Sequence, residues 1–166
     1  MNLIVAVDEN WGIGKGNDLL FSVPEDMKFF RSTTMGKYVV CGRKTLESFP
    51  GQKPLPNRFH FVLTRTPRAS QEGLVFLTDG DSLRSAIASL PEDDVFLIGG
   101  AEIYRQFYSL CKRAYVTKIF AADPDADAHF PNLDEDPNFF LAEQGEVLES
   151  KNGLRYSFCV YENRNV

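Results

Sequence analysis

The sequence has few of the residues that build metal sites and disulfide frameworks. Its 166 residues include three cysteines and two histidines. Cys41, Cys111 and Cys159 fall in predicted strands or helices without metal-ligand spacing, so we expect them to be reduced core residues. Because His60 and His129 are the only histidines, we expect no metal site. His60 lies among apolar strand residues and is expected to be structural.

Long apolar runs and basic clusters are also absent. No apolar stretch approaches the ~20 residues needed to span a membrane, and the apolar run at residues 3–7 is too short for a signal peptide. The formal net charge is −5, with 18 Lys and Arg against 23 Asp and Glu. Binding along a nucleic-acid backbone requires a positive surface, so this charge argues against that function. We therefore expect a cytoplasmic protein that binds neither membranes nor nucleic acids.

The chain has the composition of one ordinary globular domain, with 43% hydrophobic and 25% charged residues. Apolar strand-like runs alternate with helical patterns, one of which is predicted to begin at Asp81 or Ser82. The last two β-compatible runs are separated by Asn152-Gly153, a strong hairpin signal. The pattern predicts one α/β domain over residues 1–166. Its twisted central sheet would be mainly parallel, with an antiparallel C-terminal edge hairpin and helices on both faces.

The most informative stretch is a predicted helix over residues 22–34. Ser22 and Glu25 have the spacing of a capping box, and Pro24 suits the first turn, where its missing N–H costs nothing. At ~100° per residue, Asp26 falls in the middle of the apolar half, which carries no Lys or Arg. Burial without a cation would raise the pKa of this carboxyl, as often happens at functional sites. The alternative is that Asp26 stays in water and only complements the helix dipole.

A glycine-containing loop precedes this helix. Residues 9–18 carry three glycines at alternate positions, which predicts a mobile loop whose backbone can approach a ligand closely. Its glycine spacing differs from that of the dinucleotide-binding fingerprint. Leu19, Leu20 and Phe21 follow the loop directly. These three apolar residues are either core anchors or part of a lid over a pocket.

Two predicted strands end in glycine just where a helix begins. Gly42 precedes Arg43 and Lys44, and Gly99-Gly100 follows a buried strand. Free N–H groups at a helix start, with cations nearby, favour phosphate binding. The alternatives are that Arg43 and Lys44 are solvated surface charges and that the glycine pair makes a tight structural turn.

Several sequence blocks occur in one order over nearly the whole chain. They are Ala6-Val7-Asp8, Ile13-Gly14, Asn17, Val23-Pro24-Glu25-Asp26, Gly42-Arg43-Lys44-Thr45, Pro54-Leu55-Pro56-Asn57-Arg58, Ile98-Gly99-Gly100-Ala101-Glu102-Ile103-Tyr104 and Asp127-Ala128-His129-Phe130-Pro131. Together they resemble dihydrofolate reductase of the bacterial chromosomal type. The resemblance implies that NADPH reduces 7,8-dihydrofolate to tetrahydrofolate, in support of one-carbon and thymidylate metabolism. Hydride would pass to carbon 6, and a proton would reach nitrogen 5 through solvent. It also implies a monomer that binds antifolates such as trimethoprim.

The resemblance assigns Asp26 to the pterin, whose N3 and 2-amino groups it would hold in a bidentate, charge-assisted contact. Arg58 would pair with the α-carboxylate of the substrate's glutamate. The residues implied in catalysis are Asp26, Leu19, Phe21, Tyr104 and Thr117. The residues implied in substrate binding are Val5, Ala6, Asp26, Met27, Phe30, Phe49, Leu55, Arg58, Ile98 and Thr117.

The same resemblance implies one NADPH site. Its residues would be Ala6, Ile13, Gly14, Asn17, Leu19, Gly42, Arg43, Lys44, Thr45, Leu63, Thr64, Arg65, Thr78, Ile98, Gly99, Gly100, Ala101, Glu102, Ile103 and Tyr104. Arg43, Thr64 and Arg65 would read the 2′-phosphate. Residues 12–20 would form a lid over the nicotinamide, and residues 37–90 an adenosine-binding subdomain. The family usually has Pro-Trp where this chain has Leu20-Phe21, and Phe21 lacks the ring N–H that holds a water in those relatives.

Two other functions compete with this interpretation. A reductase of the same fold acts on a ribosylated pyrimidine in riboflavin synthesis, but it lacks the acidic residue on the first helix, so Asp26 argues against it. A non-catalytic NADPH- or folate-binding module is the second alternative. The presence of Asp26, Arg58 and the phosphate-site residues favours an enzyme instead.

Overall fold

The computed structural model describes all of residues 1–166. The strands are β1 (Asn2–Val7), β2 (Gly12–Lys15), β3 (Asp18–Leu19), β4 (Tyr38–Gly42), β5 (Phe59–Leu63), β6 (Leu74–Leu77), β7 (Val95–Gly99), β8 (Arg113–Ile119), β9 (Ala128–His129), β10 (Phe139–Gln144), β11 (Leu148–Glu149) and β12 (Arg155–Asn163). The helices are α1 (Pro24–Thr34), α2 (Arg43–Ser48), α3 (Gly80–Ile87) and α4 (Ala101–Phe107). None of them has the length and apolar character needed to cross a membrane.

The central sheet has the strand order β10-β12-β8-β1-β7-β4-β5-β6, with β11 beside β12. All pairs from β8 to β6 are parallel, whereas β12 pairs antiparallel with β8, β10 and β11. Central strand residues such as Val39, Val40 and Leu97 are fully buried, as expected for parallel strands covered on both faces. The predicted α/β fold and its antiparallel C-terminal edge are confirmed.

Parallel pairing brings the carboxyl ends of these strands to one edge of the sheet. In the register of the sheet Ala6 lies opposite Thr117, and Gly42 lies opposite Leu63. Gly99 ends β7 beside the end of β4. Ligands of open α/β sheets bind at this edge. Most of the residues singled out in the sequence therefore converge on it.

The three cysteines are buried and unpaired. Burial raises the pKa of Cys41 and of Cys111 to about 12, so both thiols stay protonated. Cys41 lies in β4 and Cys159 in β12, as predicted. Cys111 instead lies in the turn before β8, where its Sγ contacts the carbonyl of Phe107. All three are core residues.

The helix starts differ from those predicted. α1 begins at Pro24 with Val23 at its N-cap, and no side chain caps it, so the predicted capping box is wrong. The Glu25 carboxylate is drawn away by the turn before β12, where it accepts a hydrogen bond from Ser150 Oγ at 2.7 Å. That bond lowers the pKa of Glu25. The long-range contact replaces the local cap.

The cap of α3 also differs from the prediction. The helix begins at Gly80, and the Asp79 carboxylate accepts a hydrogen bond from the backbone N–H of Ser82 at 2.7 Å. Asp79 is thus the N-cap, rather than Asp81 or Ser82. The two predicted residues lie inside the first turn.

The glycine-containing segment before α1 is more ordered than predicted. β2 and β3 form a hairpin, and β2 also pairs with β9 in a separate three-stranded sheet. At the turn, Gly16 and Asn17 have positive φ values of 59° and 64°. Positive φ at both central residues is what a primed two-residue hairpin turn requires. The loop predicted over residues 9–18 is therefore a β-hairpin from residue 12 onward, and its mobility stays a prediction.

Candidate active site

The side chain of Asp26 lies where α1 crosses the carboxyl edge of the sheet. Its Oδ1 accepts a hydrogen bond of 2.6 Å from Thr117 Oγ1 on β8. Burial raises the pKa of Asp26, and the hydrogen bond from Thr117 partly offsets that increase. No cation contributes to this balance, as the helical pattern predicted. The alternative of a fully wetted, dipole-complementing Asp26 is excluded by its partial burial and by this contact.

The second oxygen of Asp26 is free to accept hydrogen bonds. Thr117 is the side chain's single hydrogen-bond partner and uses Oδ1. Oδ2 has no hydrogen-bond partner in the protein, and it is not fully buried, because the one fully buried side-chain nitrogen or oxygen without a partner is Arg58 Nε. Asp26 Oδ2 therefore keeps contact with solvent. Asp26 therefore offers a carboxylate edge to a ligand with two adjacent N–H donors.

The apolar half of α1 is only partly buried, contrary to the prediction. Thr34 is its one buried residue, and the side chain of Met27 is 55% exposed. Phe29 packs on Phe158 of β12, with ring centroids 4.7 Å apart. The remaining apolar side chains of α1, including the half-buried Phe30, form the wall of an open cleft.

Arg58 provides the cation of this cleft. Its Nε is buried and has no hydrogen-bond partner. Burial and the neighbouring charge of Arg31 lower the pKa of Arg58, and no carboxylate compensates for either effect. Two guanidinium groups near one buried donor fit a carboxylate ligand. The half-buried Phe49 and Leu55 precede Arg58 in the same segment.

Tyr104 packs against the turn between β7 and α4. It is buried, and its hydroxyl donates a 2.6 Å hydrogen bond to the carbonyl of Ile4. Burial strongly raises the pKa of Tyr104. A Cβ on Gly99, where φ is +115°, would come within 3.1 Å of the Tyr104 ring. The turn, in which the Gly99–Gly100 peptide is cis, can therefore approach Tyr104 this closely only with glycine.

A backbone cradle lies between the two glycine turns. A Cβ on Gly100 would lie 3.4 Å from Thr45 Oγ1 of α2, and a Cβ on Gly42 would lie 3.0 Å from Ile103 of α4. The starts of α2 and α4 thus face each other across two residues that have no side chain. This arrangement leaves backbone N–H groups accessible to a phosphate. The structure brings together the two glycine motifs that are 57 residues apart in the sequence.

Three cations predicted for the phosphate region have different surroundings. Arg43 donates two hydrogen bonds of 2.9 Å to Glu47, one turn along α2. Arg65 is 94% exposed and lies 3.7 Å from Glu102. Lys44 is exposed and belongs to no ion pair. Thr64 is buried at the end of β5, and Thr78 is exposed after β6.

A sequence profile described as dihydrofolate reductase matches residues 1–163. The chain belongs to the dihydrofolate reductase family. It is 36% identical over 167 residues to the dihydrofolate reductase of Bacillus subtilis, covering 99% of this chain and 95% of that protein. It is also 36% identical to the dihydrofolate reductase of Neisseria meningitidis serogroup B, covering 97% and 96% of the two chains. With the Schistosoma mansoni enzyme of the same name the identity is 34%, over 98% and 95%. The predicted family is confirmed, and the chain is an oxidoreductase.

In this member of the dihydrofolate reductase family, the predicted lid is the β2–β3 hairpin. Asp127, directly before β9, holds it: its Oδ2 accepts from Gly16 N at 2.9 Å, and its own N–H donates to the carbonyl of Gly14 at 3.0 Å. Leu19 at the end of the hairpin is 64% exposed. Phe21 is half-buried and packs with Val23, so it is an anchor, whereas Leu19 is not.

Two contacts at this site go beyond what the sequence analysis predicts for this dihydrofolate reductase family member. At helical spacing Arg31 falls on the polar half of α1, away from Asp26, yet its charge acts on Arg58, 27 residues further along the chain. No local pattern links the two positions. His60 is buried, as expected of a structural histidine, and it accepts a hydrogen bond from the backbone of Leu55, a predicted substrate residue. The position of His60 five residues after Leu55 was the available signal.

Proposed function

We propose that this protein reduces 7,8-dihydrofolate to 5,6,7,8-tetrahydrofolate with NADPH. The observation that carries the proposal is the Asp26 carboxylate, which has one neutral donor, no cation and a free oxygen at an apolar cleft. Such a carboxylate suits the N3 and 2-amino donors of a pterin, which lie side by side on one edge of the ring. Family membership supports the same substrate.

The tail of the substrate would lie towards Arg58. Its aminobenzoyl ring is apolar and suits the partly exposed side chains of Met27 and Phe30, together with Phe49 and Leu55. Its α-carboxylate would satisfy the unpaired Nε of Arg58. Binding of that anion would also offset the repulsion between Arg58 and Arg31. The cleft thus offers an acceptor at one end and cations at the other, matching the polarity of dihydrofolate.

The residues present fit NADPH. The side-chain-free positions Gly42 and Gly100 leave a cradle between α2 and α4 that would take the pyrophosphate, with Thr45 and Ala101 beside it. Arg43, Thr64 and Arg65 would hold the 2′-phosphate, and Lys44 would lie beside the pyrophosphate. When bound, NADPH supplies the hydride for carbon 6. The other residues of the site would be Ala6, Ile13, Gly14, Asn17, Leu19, Leu63, Thr78, Ile98, Gly99, Glu102, Ile103 and Tyr104.

The proton for nitrogen 5 would come from solvent. The Tyr104 hydroxyl is committed to the Ile4 carbonyl, and its strongly raised pKa makes it a poor acid. Asp26 would be occupied at the opposite edge of the pterin, where its role is to orient the ring and favour its protonation. Phe21 has no N–H to hold a water. The exposed end of the β2–β3 hairpin would admit the proton while Leu19 limits water access.

The proposed activity also leads to proposals for inhibitors, oligomeric state and metabolic role. We propose that antifolates such as trimethoprim compete for the Asp26 cleft, since they present paired N–H donors to the same carboxylate. We also propose that the chain acts as a monomer in the cytoplasm and supplies tetrahydrofolate for one-carbon and thymidylate metabolism. Residues 37–90 would bind the adenosine half of NADPH. Asp26 argues against a reductase that acts on a ribosylated pyrimidine. The presence of Asp26, Arg58 and the phosphate-site residues together argues against a non-catalytic binding module.

The direct test is oxidation of NADPH by the purified protein, followed at 340 nm with and without dihydrofolate across pH. We expect oxidation that requires dihydrofolate, increases as pH falls, and is much slower with NADH. The Asp26→Asn variant is the matched control and should lose turnover while still binding NADPH. NADPH binding without dihydrofolate-dependent oxidation in the wild-type protein would refute the proposed reaction.

A further inference from the structure

The tripeptide Pro54-Leu55-Pro56, which precedes Arg58 in the proposed tail-binding wall, makes few hydrogen bonds. Pro54, Leu55 and Pro56 lie outside helices and strands. Because proline has no backbone N–H, Leu55 carries the only donor of this tripeptide. That N–H donates to His60 Nε2 at 3.0 Å, which is the single hydrogen bond made by these three residues.

His60 is fully buried in β5 and uses both ring nitrogens. Nε2 accepts from Leu55, so the neutral ring carries its proton on Nδ1, which lies 3.3 Å from the carbonyl of Gly73. Burial lowers the pKa of His60, which keeps the ring neutral. The ring thereby links the tripeptide to the turn before β6. A leucine of similar size would fill the space but could not accept the Leu55 N–H.

The same ring touches the rest of the proposed tail-binding wall. Phe49 packs edge-on against it, with centroids 6.1 Å apart. Arg58 is two residues before His60 on the same chain segment. One buried ring thus contacts or adjoins three residues, Phe49, Leu55 and Arg58, that are proposed to bind the aminobenzoyl-glutamate part of the substrate.

We propose that His60 is a positioning residue for the substrate tail, which it serves by holding the Leu55 backbone through Nε2. The proposal rests on the function proposed above. It assigns different effects to two residues: His60 should affect binding of the dihydrofolate tail, whereas Asp26 should affect the pterin ring. Loss of the acceptor should therefore raise the KM for dihydrofolate and leave kcat unchanged.

The test compares His60→Leu with His60→Gln, whose side-chain amide can present an oxygen near the position of Nε2. Leaving the Leu55 N–H unpaired should raise the dihydrofolate KM about tenfold in His60→Leu, with kcat within about twofold. His60→Gln should recover most of this loss. With 6-methyl-7,8-dihydropterin, which lacks the tail, kcat/KM should be the same in all three proteins. Val62→Ala, a buried change on the same strand face, should alter stability without raising the dihydrofolate KM.

An equal loss of kcat/KM with both substrates, or an unchanged dihydrofolate KM in His60→Leu, would overturn the proposal. Amide exchange by NMR gives a readout that needs neither activity nor a folded His60→Leu variant. The Leu55 amide of the wild-type protein should exchange slowly, and exchange at the rate of an unprotected amide would also overturn the proposal. Absence of dihydrofolate turnover in the wild-type protein refutes the proposed function, and protection of Leu55 then still reports on the His60 contact.

Discussion

Two aspartates at the carboxyl edge of the sheet, Asp8 and Asp26, have opposite surroundings. Asp8 is buried and accepts three backbone hydrogen bonds, from Asn10 at 2.9 Å, Gly12 at 2.8 Å and Asp123 at 3.1 Å. Asp26 accepts one bond from a hydroxyl and keeps an oxygen open to the cleft. Both lie near the same strand ends, yet only Asp26 has a carboxylate oxygen that accepts no hydrogen bond from the protein.

We interpret the difference as that between a structural carboxylate, Asp8, and the proposed ligand-binding carboxylate, Asp26. At Asp8 the charge is solvated by backbone N–H groups, which fixes the start of the segment leading into the β2–β3 hairpin. At Asp26 burial is incompletely compensated, and its pKa is raised as a result. A ligand that donates to the free oxygen would offset the desolvation of the Asp26 carboxylate. Substitutions at the two aspartates should accordingly affect different quantities.

The largest effect is expected on turnover in Asp26→Asn. The amide keeps the shape and an acceptor for Thr117, but it presents no negative edge to the pterin. We expect kcat/KM for dihydrofolate at pH 7 to fall at least about 100-fold, while the NADPH dissociation constant changes less than about twofold. Steady-state kinetics and fluorescence titration measure the two quantities. A parallel loss of NADPH affinity would show that Asp26 is structural.

The same substitution should stabilise the fold at neutral pH. Burial raises the pKa of Asp26 in the folded protein above its ordinary value of 3.8. Between the ordinary and the raised pKa the folded state binds more protons than the unfolded state, so the free energy of unfolding decreases as pH rises. Asparagine carries no charge and avoids that loss. Urea unfolding should show Asp26→Asn more stable than the wild type at pH 7, with the gain vanishing at acidic pH.

Asp8→Asn should have the opposite effects to Asp26→Asn: it should lower stability at pH 7 and retain more activity. The amide offers one acceptor oxygen, and its NH2 group would face a backbone donor. We expect the free energy of unfolding at pH 7 to fall by about 2–3 kcal/mol. The folded fraction should retain more activity than Asp26→Asn, because Asp8 has no free oxygen for a substrate. A variant that keeps wild-type stability and loses turnover would remove the distinction between the two carboxylates.

The smallest effect is expected at Thr117, the one protein donor to Asp26. Thr117→Val keeps the buried shape and removes the hydroxyl. Because the Thr117 hydrogen bond lowers the pKa of Asp26, its loss should raise that pKa further and reduce kcat/KM by about tenfold. Thr117→Ser, which keeps the donor, should stay close to the wild type. If the valine and serine variants behave alike, the hydroxyl does not tune Asp26.

The sequence predicted the features that depend on local pattern. Buried apolar runs such as residues 3–7 identified the parallel strands, and helical periodicity placed Asp26 on a face without cations. Periodicity cannot identify what packs on that face. Thr117 is 91 residues from Asp26, and Ser150 is 125 residues from Glu25, so both contacts depend on the order of strands in the sheet. The Ser150 contact is also why the predicted capping box did not form.

The pairing partners of the strands were the second feature that the sequence could not predict. The alternate glycines at residues 12–16 predict a mobile loop rather than a strand, since glycine leaves the backbone conformationally free. Backbone pairing with β9 and the hydrogen bonds to Asp127 stabilise the hairpin instead. These partners come from a segment with many turn residues, more than 110 positions further along the chain. Local composition gave no means of matching the two.

The most direct measurement is a ¹³C NMR titration of the Asp26 carboxyl carbon, assigned with Asp26→Asn, in the free protein and with folate bound. The free protein should show a pKa above the ordinary value, because the carboxylate is partly buried and unpaired with a cation. Bound folate should lower that pKa, since the N3 and 2-amino donors of its pterin stabilise the ionised form. A pKa that folate leaves unchanged would contradict the assignment of Asp26 as the pterin acceptor.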